Sequence, residues 1–582
     1  MQAAVSGNGA GLHETQHESR PGEQELVSRV MALREEAARA KKADAQDDKW
    51  SDWEQAYWGD QWPAVLPNYK SPIVINALKS MLLHELSDLV DQVPTVYVRN
   101  SNDRHQRDEK IEQAIQAVWY RHHVDLVILD ALLDASIFPA GFVGVQVDPT
   151  AEWGQGDLDI QSWHPLGVIP DPDAEDDIAL YYCFIERVMD LAEIRQRWPD
   201  KGWLVPPEDE FSTKWPDQQG RGLSGTSSSP GGTLMYSPLN GMGNTPWRGY
   251  KKARARVITL FTKDDSTEDD VQEDGEDGLT AVPVAKYPFG RMIQIANGIV
   301  LSPSEDHNPY LGAQFPLVRF LMQPTVHRFW PQTTLVSEMM EVQRAANRAD
   351  SQVMENMLRM NNMETFVGSR SGLDIERYSG LPGGVHEVED VTQIKKEAPP
   401  SYNAEQLGFG ERLRAYNAKW NMGMNESRQG ASGRGNVAAE LTQTEVEQSM
   451  GIPRLRSKFL YRSVQRLVNM IFARMAQCYT APRVLPFYTG GEWRTVEWTP
   501  LGLDPHQAIK QYTVHVDPNS LMLRSRLVNQ KMFLALAKLN KMPTARLLKE
   551  LDIPDAENVA KELQQELQMQ AQAAQAQRKG RR

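Results

Sequence analysis

Apolar positions recur at helical spacing over several stretches, and the breaks between them set the order of elements. Residues 1–47 are polar and highly charged, and read as an arm, disordered or lying on a partner. Within them 24–43 has helical spacing with only a thin apolar stripe. From Pro72 onward Ile75, Leu78, Leu82, Leu86 and Leu89 follow at steps of three and four, predicting a helix that starts at the proline and stops before Pro94. Residues 95–99 predict a strand, and 108–122 and 124–136 predict two helices. Residues 141–147 (GFVGVQV) predict a strand whose glycines suit a close approach of backbones. A proline-rich turn over 163–172 follows, then strands at 180–187, 254–262, 291–295 and 317–321, with a short helix at 189–198.

The strongest periodicity comes next. Leu335, Met339, Val342, Ala346, Ala349, Val353 and Met357 alternate steps of four and three and place one apolar seam along a helix. Residues 362–400 are β-like and turn-rich. A second helix over 404–422 has Phe409, Leu413, Tyr416 and Trp420 on one face. A Gly/polar loop, 425–436, precedes a long helix, 437–479, with a kink expected at Pro453. Short strands are predicted at 484–488, 492–497 and 512–516, then a helical, Gln/Ala-rich tail ending in RKGRR. The stretches 205–249 and 264–277 read as inserted loops: the first has no periodicity, and the second is a run of acids whose self-repulsion favours a solvated loop. The sum is an α+β chain, mainly helical.

Composition narrows the function classes. With 582 residues the chain can bury a sizeable core. The net charge of -14 excludes a generally basic nucleic-acid binder but not a local cationic patch, nor a ring whose bore repels DNA. Two cysteines, Cys183 and Cys478, exclude a disulfide framework and a four-thiolate zinc site. The N-terminus lacks the pattern of a signal peptide, and no stretch reaches the apolar length of a membrane span.

A search for catalytic chemistry finds little. Adjacent His122 and His123 with Asp125 point apart on a helix, and a third metal ligand at useful spacing is missing. The acids of 264–277 do not follow the alternation of a calcium loop. Residues 7–11 are glycine-rich without a preceding strand or a phosphate-binding lysine, and neither GxSxG nor HExxH occurs. The expectation is a protein that is not an enzyme and carries no cofactor or metal.

What carries meaning is an order of segments. Two helices flank a compact insert and can pack antiparallel, presenting the insert at one tip. The loop with Arg428 and Arg434 then lies at the other end of the second helix. Such a loop can touch phosphates without reading bases, or it can be a plain surface connector.

Several segments resemble the portal proteins of tailed double-stranded DNA phages, particularly the podovirus type. They are SPIVINALKSMLLHELSDLVDQVPTVYVRN, DLVILDALLDASIFPAGFVGVQVDP, GAQFPLVRFLMQPTVHRFWPQTTLVSEMMEVQRAANRADSQVMENM and YTVHVDPNSLMLRSRLVNQKMFLALAKL, which occur in that family's order. The resemblance implies a dodecameric ring at one capsid vertex. By that likeness 48–334 form the wing with inserts 205–249 and 264–277, 335–361 the first stem helix, 362–401 the clip, and 402–423 the second stem helix. Residues 424–436 become the tunnel loop, 437–517 the return to the wing, and 518–582 the crown and basic tail. Arg428, Arg434 and Lys419 would contact DNA in the channel. Glu338, Glu341, Arg344 and Arg348 would pair between subunits or form a solvated helix face. The basic tail, with Arg578, Lys579, Arg581 and Arg582, either touches packaged DNA or simply solubilises the end.

The partners implied are other copies of the chain, double-stranded DNA without sequence specificity, the terminase large subunit, the major capsid or scaffolding protein and a head-tail adaptor, but no membrane. The location implied is the virion, with assembly in the host cytoplasm. Two rivals stand beside this reading: another virion structural protein, such as a minor capsid or tail adaptor subunit, and an enzyme with a dispersed active site such as a phage nuclease.

Overall fold

A computed structural model of the chain describes residues 21–62, 72–90, 94–101, 107–148, 151–208, 253–264, 267–274, 278–287, 289–302, 309–310, 315–361, 363–374, 387–397, 404–424, 451–489, 492–500 and 505–518. The expected loop 205–249, the loop 425–436, the first part of the 437–479 helix, and the tail lie wholly or mostly outside them.

In chain order the elements begin with helices α1 (Pro21–Ala45), α2 (Trp50–Trp58) and α3 (Ala77–Val90), strand β1 (Val96–Asn100), and helices α4 (Glu109–Arg121) and α5 (Val124–Ile137). There follow β2 (Gly141–Asp148), the one-turn α6 (Ala151–Gly154), β3 (Asp157–Trp163), β4 (Val168–Pro170), β5 (Tyr182–Asp190) and α7 (Leu191–Arg197). Six strands come next: β6 (Arg254–Thr262), β7 (Thr267–Asp274), β8 (Gly278–Ala285), β9 (Arg291–Ala296), β10 (Ile299–Val300) and β11 (Leu317–Phe320). Then come α8 (Leu335–Asn361), β12 (Glu364–Val367), β13 (Ile394–Glu397), α9 (Ala404–Leu407), α10 (Phe409–Tyr416) and a π-helical turn, Asn417–Asn421. The chain continues with α11 (Gly451–Cys478), β14 (Arg483–Thr489), β15 (Glu492–Trp498), α12 (Pro505–Gln511) and β16 (Tyr512–Val516). This is a mixed helix-and-strand fold, consistent with the expected α+β class.

The chain divides into two compact units: residues 1–44 with 166–315, and residues 45–165 with 316–582. In the first, five antiparallel strands run in the order β10-β9-β6-β5-β4. Ile169, Phe184, Ile258, Leu260, Ile293 and Ile295 pack with Val30 and Ala37 of α1 into one core. Residues 21–45, read in the sequence as an arm, are therefore a packed helix. Their thin apolar stripe is supplemented by charge. Arg34 makes a bidentate pair with the buried Glu186, at 2.5 and 3.0 Å, and Arg256 stands 3.6 Å from the same carboxylate. Lys41 donates to the carbonyl of Leu166 at 2.9 Å. The acidic stretch read as a solvated loop forms the antiparallel hairpin β7–β8 instead. Its register sets Asp269 opposite Pro283, Asp270 opposite Val282 and Glu273 opposite Leu279, so like charges do not face one another across it.

In the second unit a three-stranded sheet, β11-β2-β3, is packed by both α5 and α11, and Gly141 to Val145 of β2 are buried in succession. Gly141 is needed there: a Cβ would lie 1.8 Å from the carbonyl oxygen of Ala131 on α5. The helix expected from Pro72 starts at Ala77, because residues 72–76 run as an extended segment held by side chains of α8. Asp108 caps α4, accepting from the backbone N–H groups of Lys110 and Ile111. His123 adopts a left-handed conformation, φ 47°, between α4 and α5, while His122 Nε2 lies 3.6 Å from Asp157. Burial pushes the Asp157 carboxyl up, but the neighbouring His122 ring and hydrogen bonds from the Tyr479 hydroxyl and the Leu158 N–H outweigh it and hold it well below the usual carboxylate range. The histidine pair thus belongs to a packing network. Among the described residues, acids, histidines and cysteines form no group able to hold a metal ion.

Asp134 on α5 is the opposite case. Burial, and secondarily the charges of Asp130 and Glu54, push its carboxyl up to about 8. The folded chain keeps a proton there that the unfolded chain releases near pH 4, so stability falls as pH rises from about 4 to about 8. Asp134→Asn is expected to leave urea stability little changed near pH 4 and raise it by a few kcal/mol, as an order of magnitude, near pH 8. Equal effects at both ends would show that Asp134 is ionised in the fold.

Candidate subunit interface on an antiparallel helix pair

The 27 residues of α8 form the longer arm of an antiparallel pair. The second arm is built of α9, α10 and the π-turn. Asp350 pairs with Arg414 at 2.7 Å. Lower down, Asn417 donates to the carbonyl of Met339 at 3.0 Å, and Asn421 to that of Glu338 at 3.3 Å. Gly410 allows the close approach: a Cβ would meet the Asp350 carboxylate at 2.1 Å. The single helix expected over 404–422 is thus three short pieces. The wider π-turn lets both asparagines reach α8, and the Met424 N–H closes onto the Ala418 carbonyl at 2.7 Å. At the tip, β12 and β13 pair antiparallel, Glu364 opposite Glu397 and Val367 opposite Ile394.

The apolar seam of α8 is only part of its buried face. Leu335, Met339 and Ala346 are buried, while Met357 is 44% exposed. Gln343, Asn347 and Ser351, at steps of four, are also buried and form a polar ladder. Ser351 Oγ and Asn347 Oδ1 accept from the N–H groups of Ile73 and Ile75, at 2.9 and 3.3 Å. Asn347 also donates to Gln61 at 2.6 Å. Beneath the π-turn, Arg456 of α11 pairs with Glu85 of α3 at 3.0 Å and donates to the Asn421 carbonyl at 3.3 Å; both side chains of the pair are buried. The hydrophobic pattern did not reveal these contacts. The i, i+4, i+8 spacing of Gln343, Asn347 and Ser351 was the available signal for the ladder.

The residues singled out in the sequence divide as follows. Glu338 is exposed and accepts hydrogen bonds from Gln323 and Thr333 at 3.1 and 3.0 Å. Glu341 pairs with Arg344 at 3.0 Å within the helix, and Arg348 is exposed. Lys419 is exposed on the π-turn, its ammonium 5.5 Å from the ring centre of Trp420. Arg428 and Arg434 lie outside the described residues.

The aromatic face of the second arm stays uncovered in the single chain. Phe409, Tyr416 and Trp420 are 48%, 52% and 62% exposed, and the rings of Tyr416 and Trp420 stand 6.3 Å apart. Met354, Met357 and Leu358 expose further apolar surface on the distal half of α8. Contiguous apolar exposure of this kind marks a surface that meets another molecule.

A model of the phage P22-like portal protein family matches residues 25–581. The chain belongs to that family. Among curated proteins no match is found. Membership in the portal family carries with it a phage oligomer associated with the capsid, at the portal vertex of the virion. Among the described residues no helix is long and apolar enough to cross a membrane.

Proposed function

We propose that this chain is the subunit of a ring-shaped channel, dodecameric in its closed form, through which double-stranded DNA enters the capsid and later leaves. The observation that carries the reading is the exposed stripe Phe409, Tyr416 and Trp420 on a helix pair whose two arms are joined by their own hydrogen bonds. A neighbouring copy at the same height would cover it. On this reading 335–361 and 402–423 form the stem. The tip, 362–401, is the clip, meeting the terminase motor and later the head-tail adaptor. Residues 48–334 with 437–517 make the wing against capsid or scaffolding protein, and 518–582 the crown.

The mechanism is electrostatic and mechanical, with no catalytic step in this chain; the motor supplies the work. A net charge of -14 keeps the bore from binding the duplex deeply, so DNA slides. Arg428, Arg434 and Lys419 give a few phosphate contacts at the constriction and resist slippage. Subunits meet host-cytoplasmic partners during assembly and remain in the virion.

Deleting residues 425–435 is expected to leave ring closure intact and reduce DNA retention in filled heads. Native mass spectrometry reads the first, and nuclease-protected DNA per particle the second. Loss of assembly, or normal retention, would refute the role given to this segment.

A further inference from the structure

The helix α11 carries six cations, Arg454, Arg456, Lys458, Arg462, Arg466 and Arg474, and not one carboxylate, in a chain of net charge -14. Arg456 and Arg474 are buried, at 3% and 1% exposure. The other four stand at steps of four, so they follow one side of the helix over three turns. Arg454, Lys458 and Arg462 are exposed and Arg466 is half-buried. Among the described residues neither Arg454 nor Lys458 has a carboxylate within ion-pair distance. Like charges at i, i+4 destabilise a helix, and intervening acids would have been the simple remedy.

We infer that this side of α11 is a second contact line for the phosphate backbone of duplex DNA, with Arg454 and Lys458 at its N-terminal end. The inference rests on the channel reading above and adds a site to it. The ligand chemistry follows from the arrangement. A row of cations on a helix without acids of its own matches a regular line of phosphates, and it reads no sequence. Arg456, between Arg454 and Lys458, faces inward and donates to the carbonyl of Asn421, so its neighbours two positions away project from the other side of the helix, toward solvent.

The test uses the assembled full-length chain and a fluorescent duplex of unrelated sequence, titrated over a range of salt. Arg454→Gln with Lys458→Gln should assemble normally and bind more weakly at low salt. Its slope of log affinity against log salt should be shallower by roughly one for each cation removed. The exchange Arg454→Lys with Lys458→Arg should keep the parent slope, because counterion release counts charges. An unchanged slope in the glutamine variant, with the parent binding normally, overturns the stripe and leaves the channel reading standing. A glutamine variant that no longer assembles also overturns it, by making the stripe a contact between copies. A parent ring that binds no duplex at any salt overturns the stripe and leaves a bore that acts by repulsion alone, whereas a parent chain that forms no ring overturns the channel reading itself.

Discussion

A chain carrying Tyr416→Glu and Trp420→Glu is expected to remain monomeric where the proposed channel has the parent close into rings. The two side chains are 52% and 62% exposed in the single chain, so replacing them removes little internal packing. Surface substitutions of that kind change fold stability by about 0.5 kcal/mol or less. In an interface the same rings become desolvated anchors, each worth about 2 kcal/mol or more on truncation, and a carboxylate in their place adds the cost of burying charge. Every subunit contact repeats around a ring, so the loss is repeated too. Sedimentation velocity would read the assembly state, and urea unfolding would confirm that the chain still folds. Normal rings from the variant would mean that the aromatic stripe faces something other than a neighbouring copy.

The largest change in fold stability is expected at Arg456. It is buried with Glu85, the two at 3.0 Å, joining α11 to α3 and, through the Asn421 carbonyl, to the π-turn. Arg456→Met leaves a carboxylate in the interior without its partner, a loss of about 3–5 kcal/mol. Removing both charges in Glu85→Leu with Arg456→Met should recover most of that loss, since a well-packed apolar pair of similar volume is often as stable as the ion pair. The urea midpoint of each variant, at constant slope, measures this. A loss below about 1 kcal/mol for Arg456→Met would indicate that water reaches Glu85 when the guanidinium is gone.

Most elements were legible because periodicity reports burial on one face. The strands at 254–262 and 512–516 and the helix starting at Leu335 were placed by pattern alone. What the pattern missed was set by partners distant in sequence. Residues 72–76 carry helical spacing, yet they are extended because the side chains of Asn347 and Ser351 take their N–H groups. α1 was underestimated because Arg34 and Lys41, polar by pattern, find buried acceptors in Glu186 and the Leu166 carbonyl. The acidic hairpin is not legible from its charge alone, because what holds its acidic strand in place is the β-branched strand paired with it. At the helix pair the opposite holds: the aromatic face is visible in the sequence, but whether it packs inside the chain or against another copy is not a property of spacing. The buried pair Arg456–Glu85, 371 residues apart, left no local trace.

The division of the chain also bears on how it is made. α1 is made before the sheet it packs on: the Glu186 that receives Arg34 is 152 residues further on. At about 5–20 residues per second, α1 waits roughly ten to thirty seconds for its sheet. A helix with a broad apolar face would spend that interval as bait for aggregation or chaperones. The thin stripe of α1, completed only when distant charges arrive, lets the nascent segment stay dissolved until its place exists.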